Sequence, residues 1–115
     1  MLSMCRAGEV SLVSSEVLRY EISRNPNSER RSVAVELLGL SLSEIQLSDI
    51  IVTRAKELET RGFKALDALH LACADTGLID YFCTCDDRLL RRTLQQSDLD
   101  VRVVGPLELL QELIK

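Results

Sequence analysis

The chain has 115 residues, enough for one domain and too few for two. Its formal net charge of −4 argues against a protein that holds nucleic acid by bulk electrostatic attraction, although an enzyme that contacts a few phosphates is compatible with it. Aromatic residues make up only 3% of the chain, which excludes a surface on which bases stack extensively.

The cysteines and the apolar segments indicate the compartment. The four cysteines fit neither a disulfide framework nor a common zinc-binding spacing. No apolar run is long enough to span a membrane or to serve as a signal peptide. We therefore expect a cytoplasmic, reduced protein without a membrane partner.

The first half of the chain predicts one strand followed by three helices. In chain order we expect a strand over 9–13, a helix from a serine cap to about Arg24, a second helix capped by Ser28 and apolar as far as Leu40, a brief extended link over 45–47, and a third helix from Ser48 to Gly62. Each predicted helix begins at a serine, the residue type that satisfies unpaired backbone N–H groups there.

The second half predicts two more strands, each followed by a helix. In chain order we expect a helix over 65–76 stopped by Gly77, a buried strand over 81–85, a short basic helix over 87–95, a strand over 101–104, and an amphipathic helix that starts at Pro106. Helices that alternate with short strands not joined by hairpins predict an α/β architecture with a parallel sheet.

Three carboxylates, Glu21, Asp67 and Asp86, interrupt or cap apolar segments that are far apart in sequence. Burying an ionised carboxylate costs several kcal/mol unless something compensates it. A divalent cation shared by all three would compensate it, and Mg²⁺ and Mn²⁺ prefer carboxylate and water oxygens. Such ions lower the pKa of bound water and clamp a phosphodiester during in-line displacement.

Each acid also has a structural explanation. At about 100° per residue, Glu21 falls between Val17 and Leu18, which predicts that it faces inward; the alternative is a glutamate at the rim of the core, paired with an arginine. Asp67 suits the first turn of a helix, where it favours the helix dipole. Asp86 suits the N-cap of the helix that follows it.

Residues near these acids have ordinary explanations as well. Thr84 and Asp87 flank Asp86 and can hydrogen-bond a ligand or only the backbone. The single histidine, His70, lies about one turn after Asp67 in an apolar helix, where a core histidine is the usual interpretation. The arginines within 87–95 favour a solvated helix face.

Residues 65–92, ALDALHLACADTGLIDYFCTCDDRLLRR, resemble the PIN domain, a family of metal-dependent nucleases. The family's Asp–Ala–x–His–x–Ala helix start corresponds to Asp67–Ala72, and its strand ending in Thr–x–Asp corresponds to Thr84–Asp86. The segment SSEVLRYEI at 14–22 is similar to the family's second motif, whose acid is Glu21.

The resemblance implies a Rossmann-like, three-layer α/β domain over residues 1–115, in which helices flank a short parallel sheet. By matching, the site consists of Glu21, Asp67 and Asp86 as catalytic acids and metal ligands for Mg²⁺ or Mn²⁺, with Thr84 and Asp87 in support. RNA is the implied substrate. Many members are the toxin half of toxin–antitoxin pairs and many form homodimers, so an antitoxin-type protein and a second copy of the chain are candidate partners.

One departure from the family pattern leaves the function open. The family begins with a central strand that ends in an aspartate, whereas residues 1–8 correspond only to the end of the helix after it. We therefore expect a PIN-like domain truncated at its N-terminus. An upstream start, a partner chain that fills the gap and a decayed form all remain open. The two candidate functions are a metal-dependent endoribonuclease and a catalytically inactive module that binds RNA or a protein.

Overall fold

The computed structural model of the chain describes residues 11–114, in which six helices alternate with four short strands. In chain order these are β1 (Leu12–Ser15), α1 (Glu16–Ser23), α2 (Ser28–Leu38), β2 (Ser41–Ile45), α3 (Asp49–Thr60), α4 (Ala65–Thr76), β3 (Tyr81–Cys83), α5 (Asp87–Thr93), β4 (Arg102–Val104) and α6 (Pro106–Leu113). This confirms the α/β class. Within the described range, no helix combines the length and the apolar character needed to cross a membrane.

The chain divides after Leu47 into two compact units, and each contains one pair of parallel strands. In the first unit β1 pairs with β2, with Val13 opposite Ser43. In the second unit β3 pairs with β4, with Cys83 opposite Val104. Both pairs are parallel, as the sequence predicted. Residues 1–8, and the first two residues of the strand predicted over 9–13, lie outside the described range.

The first unit corrects two predictions about its second half. Helix α2 begins one residue after its cap, which is Asn27 rather than Ser28, and it ends at Leu38 instead of continuing to Leu40. The Ser41 hydroxyl donates to the Leu38 carbonyl at 2.6 Å and helps to end the helix. Strand β2 then occupies residues 41–44, for which no element was predicted, and Ile45, which was expected to begin an extended link. Its alternation is weak because Leu42 is exposed, so the pattern did not indicate a strand.

The core of the second unit is formed mainly by α3 against α4. Helix α4 has the predicted bounds, and its small side chains allow a close approach, although its main neighbour is α3 and not a strand. The most deeply buried side chains of the two helices are Ile51, Ala55, Leu58, Ala68, Leu71, Ala72 and Cys73. Strand β3 is shorter than the buried strand predicted over 81–85, since it ends at Cys83, whose side chain is exposed.

A half-buried ion pair connects three segments of the second unit. On α4, Asp75 accepts hydrogen bonds from the backbone N–H groups of Asp100 at 2.6 Å and Val101 at 3.3 Å. Its other carboxylate oxygen lies 3.4 Å from Nε of Arg54 on α3. Arg61 and Arg54 also bind Asp98, and their hydrogen bonds hold the pKa of that carboxyl well below its usual range. Asp75 therefore fixes the entry to β4 against both helices.

The ends of α3 and α4 have the same hydrogen-bond pattern, in which one residue after the helix adopts a positive φ angle. That residue is a glycine after α3 and a leucine after α4. After α3, Gly62 has φ of 98°, as expected for a glycine that closes a helix. After α4, Gly77 has an ordinary φ of −79° and the exposed Leu78 takes φ of 58° instead. The N–H of Ile79 donates to the carbonyl of Ala74 at 3.1 Å, which completes the motif around a leucine.

We expect Asp75→Ala to lower the free energy of unfolding by about 2–3 kcal/mol, because two backbone N–H groups lose their acceptor and Arg54 loses one of its acidic partners. Urea denaturation measures the change. As a control, Asp80→Ala removes an exposed aspartate and should change the value by less than about 0.5 kcal/mol. Equal effects of the two substitutions would contradict the role given to Asp75.

We expect Leu78→Gly to raise the free energy of unfolding by about 0.5–1 kcal/mol, because relief of the left-handed strain exceeds the added entropy of the unfolded chain. Leu94→Gly is the matched control, since Leu94 is a similarly exposed leucine at a helix end with φ of −62°. That variant should lose stability in the same urea titration. A loss in both variants would contradict the strain at Leu78.

Candidate functional site

Glu21 lies on α1 in the first unit, and its side chain is exposed. The prediction that it faces inward is wrong. Val17, one turn earlier, is buried, while Leu18 and Ile22 are half-buried. The angle of Glu21 around the helix axis places it among the apolar residues. That angle does not tell how far each turn of this eight-residue helix is covered by the rest of the unit. Its role as a metal ligand stays a prediction.

Asp67 lies in the first turn of α4 in the second unit, where it is half-buried. The N-cap of α4 is Lys64, whose side chain makes no capping hydrogen bond. Asp67 is the acidic residue of the first turn, where its negative charge favours the helix dipole. Within residues 11–114, no side chain or backbone group donates a hydrogen bond to this carboxylate. Asp67 thus combines partial burial with oxygens that remain available to a ligand.

Asp86 is the N-cap of α5. Its Oδ1 accepts from the backbone N–H groups of Arg88 at 2.9 Å and Leu89 at 3.2 Å, which confirms the structural explanation of this residue. The cap uses only one carboxylate oxygen. Among the described groups none donates to Oδ2, so the same side chain can hold the helix and offer an oxygen to a cation.

Thr84 holds the turn that leads to Asp86. Its backbone N–H donates to the carbonyl of Val104 at 3.0 Å, and its hydroxyl oxygen accepts from the N–H of Asp86 at 3.1 Å. The hydroxyl therefore orients the acid through the backbone. Asp87 is the exposed first residue of α5, where its charge favours the helix dipole. The structure thus brings together Thr84, Asp86 and Asp87 in one turn.

The donor atoms at these positions suit a hard divalent cation by their chemistry, since they are carboxylate oxygens. In the part of the chain that the structure describes, no three histidine, cysteine or acidic side chains form a group that could hold a metal ion. Binding of one ion by Glu21, Asp67 and Asp86 together therefore stays a prediction.

The histidine and two of the cysteines, all in the second unit, lie in surroundings that do not activate a nucleophile. The His70 ring is half-buried, with its centroid 6.4 Å from that of Phe82, in keeping with a core histidine. Partial desolvation of its sulfur, and secondarily the nearby Cys85, raises the pKa of the Cys83 thiol, whereas a nucleophilic cysteine needs a lowered pKa. Cys73 is buried in α4, as expected of a small apolar filler.

One cavity of the first unit was not anticipated from the sequence. It lies between α1 and α2 and has a volume of about 600 Å³. Its lining consists of Arg19, Ile22, Ser23, Arg31, Ser32, Val35, Leu38 and Gly39. None of the predicted site residues lines it. The apolar residues of α2 do not form a single stripe, so the sequence carried no signal for a groove on this helix.

Comparison with known proteins gives one family. The family model of the PIN domain matches residues 6–93, well over half of the chain. No curated protein and no solved structure matches the chain. The matched range includes Glu21, Asp67 and Asp86.

We expect Asp86→Ala to lower the free energy of unfolding by about 1 kcal/mol, because two N–H groups of α5 lose their acceptor. Asp86→Asn keeps an N-cap oxygen and should change the value by only about 0.3 kcal/mol. Urea denaturation of the two variants separates the cap from the charge. Equal losses in both would show that the negative charge, and not the cap, stabilises the helix.

Proposed function

Since the chain belongs to the PIN domain family, whose members are generally nucleases, we propose that it is an endoribonuclease domain dependent on Mg²⁺ or Mn²⁺. The proposed site consists of Glu21, Asp67 and Asp86 as catalytic acids and metal ligands. When bound, the ion supplies an activated water and stabilises charge on the phosphodiester. The parallel strand pairs with their connecting helices support the Rossmann-like, three-layer arrangement that the proposal includes.

The observation that carries the proposal is the state of the two aspartates in the second unit. Asp67 is half-buried, and no described group donates a hydrogen bond to its carboxylate. Asp86 is held by two hydrogen bonds to Oδ1, while its Oδ2 accepts none from the described groups. Both acids therefore have carboxylate oxygens to offer, and these are the ligands that hard divalent cations prefer. Because the cap of α5 uses only Oδ1 of Asp86, a divalent cation at Oδ2 would leave the cap undisturbed.

A second candidate function is a PIN module that binds RNA or a protein without cleavage. The exposure of Glu21 favours it, because an exposed carboxylate is solvated by water and has no need of a cation. For Glu21, then, the argument from the cost of burial no longer applies. It is no stronger for Asp86, which is exposed, or for Asp67, whose half-buried carboxylate has no fully buried oxygen without a partner. Asp67 is the least exposed of the three acids, and it is therefore the residue to test first.

We expect the purified chain to cleave single-stranded RNA in the presence of Mn²⁺ and to lose this activity in EDTA. Asp67→Asn should reduce the rate roughly 10²-fold or more, because it removes a charged oxygen ligand worth several kcal/mol in the transition state. Cleavage of a labelled RNA, followed on denaturing gels, measures the rate. Asp80→Asn, which changes an exposed aspartate in the same unit, should leave it unchanged.

Two outcomes decide between the candidate functions. Clean protein that cuts no RNA with Mn²⁺ or Mg²⁺ rejects the endoribonuclease for this chain. Titration calorimetry with Mn²⁺ is the independent measurement. Micromolar binding that is lost in Asp67→Asn counts against the inactive module, and no detectable binding favours it.

A further inference from the structure

Three arginines of α5 share one side of the helix. Taking Arg88 as the origin, Arg91 and Arg92 fall within an arc of about 100° around the axis. All three are exposed, and the opposite side of the helix buries Leu89 and Thr93. We call the set Arg88, Arg91 and Arg92 the arginine face.

The arginine face borders an open recess of about 270 Å³, and Gln95 completes its lining. The guanidinium of Arg92 lies over the ring of Phe63 at 6.0 Å from the ring centroid. It also passes close to the backbone of Gly62, where a Cβ atom would collide with its Nη1. This stacking orders one of the three charges before any ligand arrives.

Among the described residues, the arginine face differs from the other arginines of the same unit in its lack of acidic partners. Arg54 and Arg61 lie 3.3 Å and 2.6 Å from oxygens of Asp98, and Arg102 lies 3.2 Å from Glu112. Within the described residues no carboxylate forms an ion pair with a member of the arginine face. Three arginine charges thus share one side of a short helix without a direct ion pair to a described carboxylate, while Asp86 and Asp87 lie at the start of the same helix.

The helix dipole explains only part of this arrangement. Arg91 and Arg92 lie in the last turn of α5, where positive charge is favourable. Arg88 lies in the first turn, at the end where the dipole disfavours a cation, so its position does not follow from helix stability. A binding role accounts for all three residues, because guanidinium groups pair with phosphate oxygens through two parallel hydrogen bonds.

We propose that the arginine face binds the phosphate backbone of the RNA strand that the carboxylates cleave. This inference rests on the proposed function, and it adds the surface that holds the substrate. Asp86 caps the same helix only two residues before Arg88, about 3 Å along the axis. A strand that lies along the arginine face therefore passes the end of the helix where Asp86 offers its second oxygen.

The test is RNA binding without cleavage. We would titrate the full chain into a fluorescent single-stranded RNA in EDTA and measure anisotropy at several salt concentrations. Arg88→Gln/Arg91→Gln removes two charges and spares Arg92, which packs on Phe63. We expect the Kd to rise about 10-fold or more at 0.1 M salt, and the slope of log K against log salt to fall by about 1.4.

The matched control is Arg24→Gln/Arg30→Gln, which removes two exposed arginines from the first unit. Its Kd and salt slope should stay close to those of the parent chain, and thermal unfolding should confirm that both variants fold. The proposal is overturned if the control weakens binding as much, if the Arg88/Arg91 variant keeps the parent's Kd and slope, or if the parent chain binds no RNA.

Failure of this inference differs from failure of the proposed function. A parent chain that cleaves RNA with Mn²⁺ while the Arg88/Arg91 variant binds normally overturns the arginine face alone. A parent chain that never cleaves, but whose RNA binding depends on Arg88 and Arg91, overturns the nuclease and leaves the binding surface in place.

Discussion

The carboxylate of Asp75 is the contact on which the geometry of the second unit depends. It joins α3, α4 and the entry to β4. Strand β4 then positions the residues around the candidate site, because the carbonyl of Val104 accepts from the N–H of Thr84, and the hydroxyl of Thr84 holds the N–H of Asp86. Asp86 in turn starts α5 and its arginine face. A half-buried ion pair between residues distant in sequence thereby sets where the candidate acid and the basic surface lie.

The parts of the fold that the sequence predicted correctly are those that local chemistry determines. The apolar pattern between Lys64 and Gly77 has the period and length of a buried helix, and the bounds of α4 agree with it. Pro106 at the first position of α6 and Ser48 as the cap of α3 follow from single residues. Strand β2 was missed because its exposed leucine and polar residues give no alternation, and pairing with β1 defines it.

The candidate site was predictable in residue type but not in orientation or in partners. The sequence predicted Asp86 as the cap of α5, and the structure confirms it; its role as a metal ligand stays a prediction. The sequence placed Glu21 inward because a helical wheel gives only the angle of a residue around the axis and not its position along the helix. It also did not distinguish Arg54 from Arg88, which look alike in the chain, because the acids that neutralise Arg54 are remote in sequence and only the fold brings them near.

The absence of a side chain at Gly62 has an effect beyond the turn that it closes. The same backbone position accommodates a left-handed conformation and leaves room for the guanidinium of Arg92 over Phe63. Any larger residue there strains the end of α3 and displaces a charge on α5 at once. A substitution at position 62 that was made to probe thermal stability would therefore also change the charge distribution on the surface of α5. Two independent constraints, one on the backbone and one on a neighbouring charge, would limit which residues related chains can carry at this position.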